Sequence, residues 1–390
     1  MGSEGTKAIH VTDEDLAMVT DASRLGLYVH RRVNRLPLSK LVVGATPRAD
    51  RILYTNLWFR GHNNPRYEEL LPRLRRLDAY LLVLSRHRIA RGLEYRALRL
   101  TRTARERLLF AFANQRYRSM FTTDNEQIRW FRGTIVSDVD DPRFTPREVA
   151  LLNRPNVAAY VVTAKRAGRR FEELGVEKPW HVIPQGVSLE SFDESEARRI
   201  RALKRPHEVI VGYVAPWLRS RDDRDGENPL YNVDHLLELW EDVHSAAPEA
   251  RLWLIGEASL LVHERCAGRA DIALLGRLPR SKALAHISNF DVALYPRTRD
   301  QGIQAAKVAE YMGMGAPTVS YDFEVTEHLR ETGAGVLVGS PREFVEATIR
   351  LIRDGLLRRE LAGAARRAGE RLDWSELADR YEELLDAYLE

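Results

Sequence analysis

The chain has 390 residues, 44% of them hydrophobic, enough for two ordinary domain cores and too many for one. Its 60 Lys+Arg against 56 Asp+Glu leave a net charge of +4, which suits phosphorylated substrates or an anionic membrane face and is too small to require nucleic acid. A single cysteine, Cys266, excludes an internal disulfide and a cysteine-built metal site. No apolar run is long enough to span a bilayer and no signal pattern opens the chain, so the expected location is cytoplasmic.

Residues 1–50 read as an N-terminal extension, partly helical. Thr12 and Asp15 form a helix-start pattern, Leu16, Ala17, Thr20, Ser23 and Leu27 follow at helical spacing, and Pro37 breaks it. Residues 51–59 (RILYTNLWF) read as the first buried strand, and Gly61 in the loop behind it allows a backbone to approach a ligand closely. A helix over 67–77 and a strand over 79–85 follow. Between 86 and 118 arginine dominates, interleaved with Leu98, Leu100, Leu108, Phe110 and Phe112. Such a stretch is either a basic amphipathic helix lying on an anionic bilayer or a solvated face opposite a core stripe. No nucleic-acid motif accompanies it.

Strands are expected over 119–123, 133–137 and 156–163, the first two ending in acid-rich loops at Asp124 and at Asp138, Asp140 and Asp141. Clustered aspartates can hold a divalent metal, and Asp141 before Pro142 is also ordinary turn chemistry. In 180–192 (WHVIPQGVSLESF) Pro184 and Gly186 fix a bend, and the charged stretch 193–206 reads as a linker helix. A strand over 208–214 opens a second alternation of strands and helices. Its first loop, 215–231, carries Arg219, Arg221 and Arg224 among aspartates that can pair with them in solvent. Strands at 251–256 and 272–276, helices at 233–246, 281–288 and 341–353, and a final helix led by Trp374 complete the pattern.

The most informative stretch is 291–320 (DVALYPRTRDQGIQAAKVAEYMGMGAPTVS). A short apolar run closed by Pro296 is a buried strand. The polar, basic loop 297–302 follows, then a helix over 303–314, and Gly313, Gly315 and Pro317 stop it before a second strand. In such a unit the loop lies at the carboxyl ends of the strands, and the helix N-terminus offers unpaired amides to an anion. Lys307 and Glu310, three apart, project on one side of that helix. A solvated surface pair has the same spacing.

The glutamate beside Tyr311 and the Gly-x-Gly-x-Pro helix stop, behind a proline-ended strand, are similar to the donor segment of family 4 glycosyltransferases, which have the GT-B fold. Ile183, Pro184, Gly186, Val187 and Phe192 resemble that family's interdomain segment, with Gln185 and Ser188 in place of the usual Asn and Asp. The resemblance implies an α/β chain of two Rossmann-like doubly wound domains facing a cleft. An N-terminal domain over 51–190 would take the acceptor, with the helix 373–390 packing back on it; 191–206 would be the linker and 207–372 the nucleotide-sugar donor domain.

Glu310 matches the family's second glutamate, which binds ribose hydroxyls. The first glutamate is replaced by Gly302, with Asp300 or Gln301 as nearest substitutes. The resemblance further implies Arg219, Arg221, Arg277 and Arg297 as donor-binding cations beside the amides of Gly302 and Ile303. Gly61 is implied at the donor phosphate, and His62, Asp124 and Asp138 at the acceptor or cleft. Asp138 stands with Glu310 and Lys307 as a candidate for the chemistry.

The implied activity is retaining transfer of a sugar from a nucleotide-diphosphate donor to a glycan, lipid-linked or small-molecule hydroxyl. It needs no cofactor and no metal, and it is compatible with peripheral contact at the inner membrane face through 86–118. Loss of the diphosphate is the difficult event, and helix-end amides with Lys307 or Arg219 would stabilise its charge. Three other readings share the fold: a catalytically degenerate scaffold, a sugar-nucleotide epimerase, and an inverting transferase.

Overall fold

Short β-branched and aromatic runs alternate with helical segments, and the alternation folds into two mainly parallel sheets. The computed structural model describes residues 27–31, 51–59, 65–70, 73–84, 107, 110–111, 113–223, 233–298 and 305–389. The chain divides into one unit of Met1–Pro184 with Leu377–Glu390 and a second of Gln185–Glu376.

The first unit contains β1 (Leu27–Arg31), β2 (Ile52–Phe59), β3 (Leu77–Leu84), β4 (Ser119–Thr122), β5 (Thr134–Val139), β6 (Val157–Val162) and β7 (Trp180–Val182). They are ordered β1-β3-β2-β4-β5-β6-β7. From β3 onward every neighbouring pair is parallel. The strand β1 departs from the helical reading of Leu27. Leu27 to Arg31 run antiparallel along β3, from Leu27↔Leu84 to Arg31↔Tyr80, and cover an edge that would otherwise present unpaired backbone groups. Met120, Ile135, Tyr160, Val162 and Phe171 fill the core on one face of the sheet. All of 86–106, together with Leu108 and Phe112, lies outside the described residues. In the described remainder Phe110, Ala113 and Tyr117, spaced as one helical face, are buried in that same core.

One buried polar knot ties this unit together. Arg66, in the helix Pro65–Leu70, meets Asp138 near the end of β5, with Nε 3.0 Å from Oδ2 and Nη2 3.1 Å from Oδ1. The same guanidinium donates to the carbonyls of Pro184 at 2.8 Å and Ile183 at 3.0 Å. Tyr381, in the last helix Trp374–Tyr388, donates its hydroxyl to Asp138 Oδ2 at 2.7 Å and also contacts Arg66. Side-chain exposure of both Arg66 and Asp138 is 0%, so the pair depends on these mutual bonds for solvation.

The second unit contains β8 (Val209–Leu218), β9 (Ala250–Ala258), β10 (Ile272–Leu274), β11 (Val292–Tyr295), β12 (Thr318–Tyr321) and β13 (Gly335–Val338), all parallel and ordered β10-β9-β8-β11-β12-β13. Counted from its first strand this is the 3-2-1-4-5-6 order, and the direction of winding reverses between β8 and β11. Strands read as continuous apolar runs because helices cover both faces. The largest cluster gathers Val211, Leu252, Leu254, Leu294 and Val319 of the sheet with Trp240 and Phe344 of two covering helices.

The helix Ala306–Gly313 crosses the helix Gly355–Glu370 at a glycine contact. A Cβ on Gly369 would lie 2.4 Å from Gly313 Cα and 2.6 Å from the Met312 carbonyl carbon, both backbone atoms that cannot swing aside. Gly369→Val is therefore expected to cost about 1–3 kcal/mol, the usual penalty for overpacking. A lowered melting temperature would show it, and an unchanged one would mean that the crossing has slack.

Candidate active site in the second unit

The carboxyl end of β11 and the middle of β8, on either side of the reversal point, bring together Tyr295, Arg297 and Tyr213. The two strands are paired in register, Ala293↔Gly212, and Gly212 is required where it stands. A Cβ there would lie 2.2 Å from the Phe290 ring. The helix Ala306–Gly313 starts at this end of the sheet, three residues later than the spacing predicts, behind the extended cap residue Ala305. Its buried Tyr311 accepts a hydrogen bond from the Val214 amide at 3.0 Å and rests against Phe290 with ring centroids 6.2 Å apart. The helix is thus pinned to β8 by one side chain.

Lys307 and Glu310 project beside that pin. Lys307 Nζ lies 4.3 Å from the centroid of the Tyr213 ring and donates to its hydroxyl at 3.2 Å. The ammonium lies deep among protein atoms although the residue keeps some contact with water. Burial first, then the nearby Arg297 charge, pushes Lys307 down to about 7, against a smaller opposing pull from Glu310. Glu310 has 16% of its side chain exposed, and its Oε1 lies 3.5 Å from Arg280 Nη2. Burial raises its pKa, and Arg280 and then Lys307 act against the rise. Arg297 stacks over Tyr295 at 5.4 Å, and its Nη1 is buried with no hydrogen-bond partner among the described residues. Arg280 and Lys307 thus stand by one carboxylate and Arg297 stands by Lys307, and the surplus charge is what an anionic ligand would complete.

The other expected residues take different places. Arg219 and Arg277 flank the Trp217 ring at 5.0 and 5.7 Å, at the far end of β8. Arg221 is committed to acids, with Nε 3.1 Å from Asp234 Oδ2 and Nη2 on Glu238, so a donor contact would have to break those pairs. Asp124 caps the short helix Asn125–Arg129, accepting from the Glu126 amide at 3.0 Å. Asp138 is the buried partner of Arg66 and Tyr381, a setting that replaces the cleft contact expected for it. Gly61, His62, Asp300, Gln301, Gly302 and Ile303 lie outside the described residues. Sequence reasoning missed Tyr213, Tyr295 and Arg280. A Tyr directly after the strand glycine Gly212 was the one local signal.

Two mainly parallel sheets covered by helices fit two Rossmann-like domains, the fold of the solved structures named below. Residues 226–354 match the family described as Glycosyl transferases group 1, which places this segment of the second unit with that family. No curated protein matches the chain. Solved structures do. Anabaena Alr3699/HepE in complex with UDP is 16% identical with a TM-score of 0.66, covering 86% of this chain and 100% of that one. Sucrose-phosphate synthase from Thermosynechococcus elongatus is 17% identical with a TM-score of 0.60, over 79% of this chain and 83% of that one. WaaG, a glycosyltransferase involved in lipopolysaccharide biosynthesis, is 11% identical with a TM-score of 0.59, over 85% of this chain and 99% of that one. Among the described residues no helix is long and apolar enough to cross a membrane.

Proposed function

We propose that the protein is a retaining glycosyltransferase that takes a sugar from a nucleoside diphosphate and delivers it to an acceptor hydroxyl. The observation that carries this reading is the surplus of positive charge around Lys307 and Arg297 at the reversal point of a 3-2-1-4-5-6 sheet, within a segment that matches group 1 glycosyl transferases. Lys307 and Arg297 would meet the diphosphate, and Glu310 would accept hydrogen bonds from the ribose hydroxyls.

In the step itself the bond from the anomeric carbon to the diphosphate breaks with its electron pair moving to the phosphate oxygen. The acceptor oxygen bonds to that carbon from the same side, and its proton passes to the departing phosphate. Lys307 and Arg297 stabilise the charge that grows on the leaving group, the role a metal would otherwise fill. The resemblance assigns no protein nucleophile, and the reading needs none. Uridine is the first base to test because Anabaena Alr3699/HepE has been solved with UDP and with UDP-glucose.

A thermal-shift panel of UDP, GDP, ADP and TDP at fixed salt tests the reading. One nucleotide, UDP by expectation, raises the melting temperature of the wild type, and Glu310→Gln loses most of that rise. If none of the four moves the wild type, the donor site does not exist as described.

A further inference from the structure

The carboxylate of Glu310 has to do something its surroundings oppose. To act as acceptor alone toward the ribose hydroxyls it must be ionised, and at 16% side-chain exposure it has lost most of its water. Two cations stand near it. Lys307, on its own helix, is drawn to the Tyr213 hydroxyl and ring and is itself hard to keep charged. Arg280 is different. It is the first residue of the helix Arg280–Ile287, its guanidinium cannot lose its proton, and its Nη2 lies 3.5 Å from Oε1. Other charged or titratable groups on the elements packed around this pair include Arg297 behind β11, Tyr295 on β11, Tyr213 on β8, Tyr311 on the same helix, Lys282 and His286 on the helix of Arg280, Arg366 over Gly315, and Glu190 on the turn Leu189–Ser191.

We propose that Arg280 is the positioning residue of the donor site, holding Glu310 as a carboxylate turned to the ribose. The inference rests on the donor-site reading above and adds a residue to it. Arg280 acts through Glu310 and touches no reacting atom. Arginine suits the task because its planar guanidinium can hold a carboxylate in a fixed orientation, whereas a lysine supplies only the charge.

The test compares UDP with its 2′-deoxy analogue on the full chain by calorimetry at pH 5.5 and 7.5. Taking the ratio of the two dissociation constants cancels the titration of the diphosphate, so only recognition of the ribose remains. In the wild type the ratio is expected to be roughly ten-fold at both pH values, the usual weight of a hydrogen bond to a charged group. In Arg280→Met it falls at both pH values and further at pH 5.5, because Glu310, its pKa already raised by burial, loses the larger of the two charges that oppose the rise. Arg280→Lys restores the ratio at pH 5.5 because it restores a charge. A merely structural role would shift both ligands together and leave the ratio, and its lack of pH dependence, untouched. Arg280→Gln makes the same comparison should the methionine variant not fold. A ratio that stays at the wild-type value in these variants at both pH values overturns the inference and leaves the donor site standing. Absence of UDP binding to the wild type overturns the donor site itself.

Discussion

Lys307→Met is expected to weaken nucleoside diphosphate binding roughly ten- to hundred-fold, the range of a lost charge-assisted hydrogen bond or two, while the chain stays folded. The side chain donates to Tyr213 and lies over its ring, and methionine keeps most of that apolar contact. The same residue sets a pH dependence. In the free protein its proton leaves near pH 7, whereas a diphosphate at the ammonium holds the proton on. Binding above pH 7 therefore includes proton uptake, and affinity falls by up to about ten-fold per pH unit from there.

Stability of the free protein moves the other way. Between about 7 and the ordinary 10.5 the unfolded chain carries the proton that the folded chain has lost, so this group's contribution rises with pH across that window. Opposite trends from one lysine make a distinctive signature. Calorimetric titration of UDP at pH 6.5, 7.5 and 8.5 reads the first trend, and denaturant unfolding at the same pH values reads the second. In Lys307→Arg the affinity is expected to be flat over this range, and a wild-type slope surviving in that variant would assign the titration to another group.

Asp138→Ala is expected to cost the first unit about 3–5 kcal/mol, because it leaves the Arg66 guanidinium buried and uncompensated. For a unit of this size that corresponds to a fall in melting temperature on the order of 10 °C. Tyr381 would lose its acceptor at the same time, so the last helix is expected to become the first part to exchange its amide hydrogens. Tyr381→Phe removes the hydroxyl's two bonds in the knot, to Asp138 and from Arg66, and is expected to cost about 1–3 kcal/mol. The affinity of folded Asp138→Ala for UDP should stay within about two-fold of wild type, since its partners belong to the polar knot of the first unit and the proposed ligand groups to the second. A stable variant with sugar transfer abolished would instead return Asp138 to the chemistry and contradict the structural role.

Local punctuation explains which elements were legible from sequence. Pro296 closes β11, while Gly313, Gly315 and Pro317 stop the next helix, so Lys307 and Glu310 could be placed on one helix face beside a loop. The helix Gly355–Glu370 was not anticipated. Its glycines and arginines mask the apolar stripe, and its start rests on Asp354 accepting from the Leu356 and Leu357 amides. Partners across the sheet were beyond reach for a different reason. Lys307 meets Tyr213 across 94 residues, and Asp138 meets Arg66 across 72 and Tyr381 across 243. No periodicity reports on such distances. An aspartate at a strand end looks the same whether it faces a ligand or a buried arginine, and only the fold separates the two. The arginines divided in the same way. Arg221 was consumed by Asp234 and Glu238, while Arg280, one residue ahead of the helix read over 281–288, came to lie near Glu310.

The central claim is that a nucleoside diphosphate sits at the reversal point of the second sheet, and a crystal structure of the full chain soaked with UDP tests it most directly. Density for the diphosphate is expected within hydrogen-bond distance of Lys307 Nζ and the Arg297 guanidinium, with the ribose hydroxyls on Glu310. Well-ordered UDP bound elsewhere in the chain, with Lys307 still on Tyr213 and Glu310 contacting no ligand atom, would contradict it.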